Sequence, residues 1–296
     1  LESIQRGGVL TEEGVGAGTF DAVRDHLARQ FEEPWFDAAT GIPVDVLRAE
    51  VEDHLSKMEG APRVLQKAEA YRLIVTRGQI AVDPQDWFVD KLNHGGILRA
   101  LQRRWYREAQ EGAIREEADW FRLSTSVGAV RGGLDMGHIS PGWEKMFGSG
   151  VSGLVDEARR MRDRVGSGLT AQQDAFYEAV ETVHEATIGL AERFSDLALR
   201  MAIDQPEHGP RLRAVSSVCD RVPADAPTSF HEALQFAWTM HELIEMEGEN
   251  VRSMGHFDRT LYPYYRDDLD TGRLTREEAK ELIKFFWFKH FAHTQG

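Results

Sequence analysis

Cysteine is nearly absent: Cys219 stands alone among 296 residues. Neither an internal disulfide framework nor a cysteine-based zinc or iron–sulfur centre can form within the chain. That usage fits a reducing, cytoplasmic compartment. Long hydrophobic runs are missing too, since no stretch reaches the roughly 18 apolar residues a membrane span requires. No apolar region follows Leu1-Glu2-Ser3-Ile4 to mark a secretory leader. Basic residues are outnumbered, 35 Lys and Arg against 49 Asp and Glu, for a formal net charge of −14. This balance excludes a broad footprint on nucleic acid or an anionic membrane, which needs concentrated Lys and Arg. A local basic pocket for a small anion stays compatible with it. Nucleotide loops are lacking: no Gly-x-Gly-x-x-Gly follows a strand and no Gly-Lys-Ser/Thr occurs. There is no Gly-x-Ser-x-Gly nucleophile elbow.

What is present reads as a globular, mainly helical protein with a few strands. Hydrophobic residues make up 42% and charged residues 28%, enough for a buried core and too apolar for a disordered tail. Residues 1–18 carry five glycines and form a lead-in, and residues 19–296 form one unit. A short helix is expected from Phe20 to Phe31. Pro43 opens a second, with Val44, Leu47, Val51 and Leu55 at helical spacing up to Gly60. Pro62 opens a third, closed by Gly78. Gln79–Asp83 is a short strand candidate before Pro84. Ser140-Pro141 restarts a helix in the N-cap and first-turn pattern. Thr170-Ala-Gln-Gln173 has the form of a capping box, followed by Phe176, Val180, Val183, Leu190, Phe194, Leu197 and Met201 as an inward stripe. Ser229–Glu232 and Thr275–Glu278 repeat that box, opening helices to about Glu247 and towards His290.

Two polar loops interrupt this helical pattern. Residues 124–142 hold five glycines together with Asp135 and His138, a length of irregular chain that is functional more often than filler. Asp135 and His138 can bind a polar substrate or work as an acid–base pair; a loop-stabilising Asp turn beside a solvated histidine is the plainer reading. The second loop, Asn250–Arg259, reads on packing grounds as a connection with an ion pair. Cys219 lies beside Asp220 and Arg221 and reads as a small buried hydrophobe near a helix end. Metal ligation has little support. His241-Glu-Leu-Ile-Glu245 has Glu where a zinc helix needs its second histidine, and of eleven histidines only His184 follows a Glu at the di-iron spacing (Glu181).

Three segments carry a family resemblance. Phe257-Asp-Arg-Thr-Leu-Tyr-Pro-Tyr-Tyr, an acidic turn and Leu274-Thr-Arg-Glu-Glu-Ala resemble the glycyl radical enzymes of the pyruvate formate-lyase group. Val222-Pro-Ala-Asp-Ala-Pro-Thr-Ser-Phe-His-Glu-Ala-Leu-Gln235 is similar to a second family segment, and Gly137-His-Ile-Ser-Pro-Gly-Trp-Glu-Lys145 to a third. Their order is the family's, and the resemblance spans roughly residues 60 to 296.

The resemblance implies the N-terminal part of a ten-stranded α/β barrel wrapped in helices. It implies a parent enzyme in which a backbone glycyl radical, installed by an S-adenosylmethionine and iron–sulfur activase, takes hydrogen from a cysteine. The resulting thiyl radical then attacks a small polar metabolite, in C–C cleavage or transfer, dehydration, or C–N or C–S cleavage. Both reactive loops are expected beyond Gly296, so this chain reads as truncated, without catalytic residues, bound cofactor or metal, and inactive alone. Its expected partners are the missing C-terminal half, the activase and, in a homodimer, a second copy. The pocket residues carried over are Asp135, His138, Ser253 and His256. His256 stands where the family has Arg and Arg259 where it has Gln, which leaves the substrate class open. Asp258, Tyr262 and Tyr264 are expected to be structural, joining loop to helix. The alternatives are a non-catalytic interaction or regulatory subunit that keeps the helical half of the fold, and a stand-alone metal-dependent helical enzyme.

Overall fold

The structure, a computed structural model, describes residues 20–32, 40–113, 123–124, 126–129, 138–248, 250–251 and 254–293. Helix α1 (Phe20–Glu32) is followed by α2 (Val44–Lys57) and α3 (Arg63–Arg77). Pro43 and Pro62 immediately precede α2 and α3, where a missing N–H costs nothing and the fixed φ favours entry. Leu47, Val51 and Leu55 of α2 recur at one-turn intervals and are buried. Gly78 follows α3, and a Cβ there would lie 2.7 Å from the Ile74 carbonyl. The guanidinium of Arg193 caps this end by donating to the carbonyls of Val75 and Gly78.

Strand β1 (Gln79–Ala81) pairs antiparallel with β2 (Lys91–Asn93). The strand is shorter than the spacing suggested, because the chain leaves the ladder at Val82 and turns inward. Asp83, Asp86, Trp87, Phe88 and Val89 are all buried. Helix α4 (Ile97–Ala113) comes next, then β3 (His138–Ile139) and α5 (Trp143–Val165). This last helix begins later than Ser140-Pro141 suggested, since β3 keeps the chain extended to Ile139 and Gly142 takes the N-cap position. Gly150 breaks α5 with φ 64°, and a Cβ there would come within 2.4 Å of the Ala224 carbonyl oxygen. The approaching strand of main chain supplies what the kink removes: Val151 N–H donates to Pro223 O and Ser152 N–H to Ala224 O, at 2.8 and 3.0 Å.

Helix α6 (Ala171–Asp204) starts in the expected box, with Thr170 and Gln173 bonding each other's main chain. It packs on α3, α5 and α7 (Gly209–Arg221). Phe176 is not part of its inward stripe: it is 54% exposed, and the small Ala175 and Ala179 make the close contact at that end. Helix α8 (Phe230–Met246) is capped by Ser229, while Glu232 turns its carboxylate to Thr228 instead of closing the box. Strand β4 (Asn250–Val251), α9 (Phe257–Asp270) and α10 (Arg276–His293) complete the order. Asp258, Tyr262 and Tyr264 lie inside α9, so the Tyr-Pro-Tyr motif is itself helical. Thr275 and Glu278 form the third box in full.

Two apolar clusters make the core. One joins Trp87, Phe88, Phe147, Phe236, Trp238, Phe285 and Phe286; the other joins Leu47, Tyr71, Ile74, Leu190, Phe194 and Leu212. Helix α8 contributes to both, with Phe236 and Trp238 in the first and Leu243 and Met246 in the second. Each such side chain contributes about 1.5–3 kcal/mol on burial, so α8 is the element on which the two halves depend. The chain is mainly helical with few strands, as expected. Among the described residues the sheets are two separate pairs, and no barrel is formed.

Candidate functional site

The two polar loops singled out in the sequence meet in space. Strands β3 and β4 pair in parallel, with His138 opposite Asn250 and Ile139 opposite Val251. A second contact follows four to five residues on: Gly255, at φ 65°, lies beside Trp143, where a Cβ would make an ordinary contact of 3.4 Å with the indole Cδ1. Trp143 is buried and begins α5, while Gly255 ends the approach to α9. The stretch 254–257 is held at both ends by apolar anchoring, with Met254 and Phe257 packed on the first core cluster. His256, between them, is exposed at the N-cap position of α9, and its carbonyl accepts from Thr260 N–H at 2.9 Å. An exposed imidazole at the positive end of a helix dipole suits a ligand bearing a hydroxyl or an anionic group. Of the four residues carried over from the resemblance, His138 and His256 thus lie on segments that the fold brings side by side. Asp135 and Ser253 lie outside the described residues.

Sequence reasoning missed the densest polar chemistry, which is buried. The segment 83–90 is gripped from four helices. His26 of α1 approaches both carboxylate oxygens of Asp83, at 2.9 and 3.2 Å. His231 of α8 donates its Nε2–H to the Trp87 carbonyl at 2.9 Å. Lys289 of α10 lies 2.5 Å from Asp86 and 2.9 Å from Asp90. Arg211 of α7 stacks over the Trp87 ring at 4.9 Å. Burial alone would discharge Lys289, yet Asp86 and Asp90 outweigh it and hold the ammonium above its ordinary range. Burial pushes Asp86 up, while Asp90, also opposed by burial, is held down by Lys289 and Lys91. Arg211 is lowered to about 10 by burial, against the pull of Asp86 and Asp83. One sequence signal pointed here: a lone lysine inside the apolar run Phe285–Ala292, since a buried lysine needs carboxylates.

Other candidates have ordinary partners. Cys219 is buried in the second cluster, and burial pushes its thiol up to about 12, so it is no thiolate nucleophile. The Glu181–His184 turn is occupied: His184 bonds the Val180 carbonyl, and Glu181 pairs with Arg159 and Arg162. Cavities of about 270 and 500 Å³ open against His54 and Glu69 and against Arg159 and Arg162, and neither is lined by the paired loops.

Comparison with known proteins places the chain in a family. The pyruvate formate lyase-like family matches residues 54–295, a span holding both paired loops and everything from α3 to α10. The isethionate sulfite-lyase of Oleidesulfovibrio alaskensis is 31% identical over 152 residues, 49% of this chain and 18% of that protein. The (2S)-3-sulfopropanediol dehydratase of Klebsiella oxytoca is 28% identical over 314 residues, 88% of this chain and 38% of that one. In structure, a glycyl radical enzyme from Archaeoglobus fulgidus superposes with a TM-score of 0.65 at 21% identity, covering 90% of this chain and 40% of its own. The chain therefore spans less than half the length of these relatives. The family match extends through most of the sequence, and on that ground the chain belongs to the pyruvate formate lyase-like family.

Proposed function

We propose that this chain is the N-terminal portion of a glycyl radical enzyme of the lyase or dehydratase type, and that it supplies one wall of the substrate pocket. The observation that carries the reading is the parallel pairing of β3 with β4, which aligns the loop of His138 with the loop leading to His256. A parallel pair of two-residue strands is stable as part of a larger sheet, which suits the wall of the family's ten-stranded barrel. Kinship to a sulfite-lyase and a sulfopropanediol dehydratase supports cleavage of a C–S or C–O bond in a small polar metabolite.

In this reading Asp135, His138, Ser253 and His256 line the pocket. Hydrogen bonds from such groups hold a hydroxyl or an anionic substituent and fix the C–H bond that reacts. A proton from one of them helps the leaving group depart. The thiol and the radical-bearing glycine belong to the remainder of a longer polypeptide, and a separate S-adenosylmethionine and iron–sulfur enzyme installs the radical. Such chemistry fits a cytoplasmic, anaerobic setting and a homodimeric parent.

The test is anaerobic incubation of the complete polypeptide with its activase and S-adenosylmethionine, read by electron paramagnetic resonance. A glycyl doublet is expected from the complete polypeptide and none from residues 1–296 alone. A complete polypeptide that gives no doublet with an active activase overturns the reading. His138→Ala in the complete protein should keep the doublet and lose turnover.

A further inference from the structure

The turn that delivers β4 to β3 is held by three helices. Helix α8 ends at Met246, buried with Leu243 in the second cluster, so the chain leaves it from a fixed point. Glu247 and Gly248 close the helix end: Glu247 N–H donates to the Ile244 carbonyl at 3.2 Å and Gly248 N–H to that of Glu245 at 2.9 Å. Two residues after Gly248 the chain is strand β4, which lies back against α8 and pairs with β3. A reversal this short needs a backbone angle that side chains rarely adopt, and Gly248 supplies it at φ 101°.

The other two helices grip the turn from outside α8. Lys67 of α3 reaches the Glu247 carboxylate at 2.8 Å, and both side chains are half-buried, which spares the pair part of the screening an exposed one meets. Against α4, a Cβ added at Gly248 would stand 2.9 Å from Gln102 Oε1 and 3.5 Å from Arg99 Cγ. The amide end of Gln102 can swing aside, so conformation more than space reserves this position for glycine.

The start of β4 matters because its ladder is too short to choose a register. The pair matches at two positions, His138 with Asn250 and Ile139 with Val251. Successive residues of a strand face opposite ways, so a slip of one position would turn each side chain to the other face. What precedes and follows the pair must therefore set its alignment. The Trp143–Gly255 contact lies after it, and the turn at 247–248 lies before it.

We propose that Gly248 and the Lys67–Glu247 ion pair are positioning residues for the candidate pocket: they fix where β4 begins, and with it the register that sets the loop of His256 beside that of His138. The proposal rests on the reading of these loops as a pocket wall, but its test uses neither substrate nor radical. Failure of the register test leaves the radical chemistry to the glycyl doublet, and a missing doublet leaves the register measurement standing.

The 296-residue chain is compared with Lys67→Met, Glu247→Gln, Gly248→Ala and the charge swap Lys67→Glu with Glu247→Lys. Two signals are read: cross-strand nuclear Overhauser contacts between main-chain protons of residues 138–139 and 250–251, and amide exchange at the same residues. Breaking the ion pair from either side should speed exchange there about threefold, and the swap should restore it. Gly248→Ala should speed it about tenfold and weaken the cross-strand contacts. Exchange at residues 190–198 of α6 should stay as it was, which separates loss of position from loss of the fold. Unchanged contacts and exchange at β4 in the single variants overturn the proposal, as does a rise that spreads equally to α6. Should Gly248→Ala fail to fold, the ion-pair variants and their swap decide alone, with the same outcomes.

Discussion

The Gln235 carboxamide on α8 and the main chain of Val89 exchange two hydrogen bonds of 3.0 Å each, Val89 N–H to Oε1 and Nε2–H to the Val89 carbonyl. A side chain here plays the part of a neighbouring strand for a segment that has left its ladder. Both groups are buried, so removing the amide leaves a donor and an acceptor dry and unpaired. Gln235→Leu should lower unfolding free energy by about 2–4 kcal/mol in urea titration, taking about 1–3 kcal/mol for each unsatisfied group less what the apolar replacement returns. A loss below about 0.5 kcal/mol would mean that the segment 83–90 is held by its other contacts.

Lys289 makes a sharper case, because what it leaves behind is charge. Lys289→Met would bury Asp86 and Asp90 without their cation, a change that costs about 3–5 kcal/mol when one partner of a buried pair is removed. Adding Asp86→Asn and Asp90→Asn to that variant should recover part of the loss, since neutral amides tolerate burial better than carboxylates. Calorimetric midpoints for the single and triple variants check this. A triple variant less stable than the single one would show that the aspartates are needed for reasons other than pairing.

The histidine between Trp87 and Phe88 predicts a pH response. Burial lowers the His231 value to about 4, although its bond to the Trp87 carbonyl works the other way. The folded value lies below the unfolded one of about 6.5. Its stabilising contribution is therefore complete above about pH 6.5 and is lost as the pH falls from there towards about 4. Unfolding free energy should decline across that window, and His231→Gln, which keeps a donor for the carbonyl, should flatten the decline. An unchanged slope in the variant would assign the acid sensitivity elsewhere.

These three cases also show what the sequence makes legible. Helix starts at Thr170 and Thr275 are local events, decided by residues three apart, and both boxes are present as spelled. The paired loops were recognisable as two polar interruptions, and the family segments inside them marked His138 and His256. Their adjacency was not recognisable, because the β3–β4 register links positions far apart in sequence and two-residue strands carry no periodicity. The segment 83–90 fails for the same reason. Asp83, Asp86 and Asp90 look like turn residues beside Pro84, and only the arrival of His26, Arg211 and Lys289 from distant helices makes them core. Helix α4 was missed although it does carry an inward stripe: Ile97, Leu98, Leu101 and Trp105 stand at helical spacing in or against the second core cluster, set among Arg and Gln residues that mask them. The kink at Gly150 belongs to its contact with Ala224 and leaves no mark in the local pattern.

Two glycines separate the effect of backbone shape from that of space. At Gly150, φ is 64° and a Cβ would meet the Ala224 carbonyl at 2.4 Å, so neither rotation nor retreat is open to it. At Gly255, φ is 65°, but the nearest atom is Trp143 Cδ1 at 3.4 Å, an ordinary contact. The left-handed conformation costs a side chain about 1–2 kcal/mol at either place, and only Gly150 adds a collision with main chain. Gly150→Ala should therefore lower stability at least twice as much as Gly255→Ala in the same denaturant titration. Asn tolerates the left-handed region, so Gly255→Asn should fold nearly as well as the unaltered chain while placing a polar side chain beside His256. In the complete enzyme that variant should raise the KM or reduce kcat with the unfolding midpoint almost unmoved. Full turnover in Gly255→Asn would place the substrate away from the Trp143–Gly255 contact, and with it away from the β3–β4 loops.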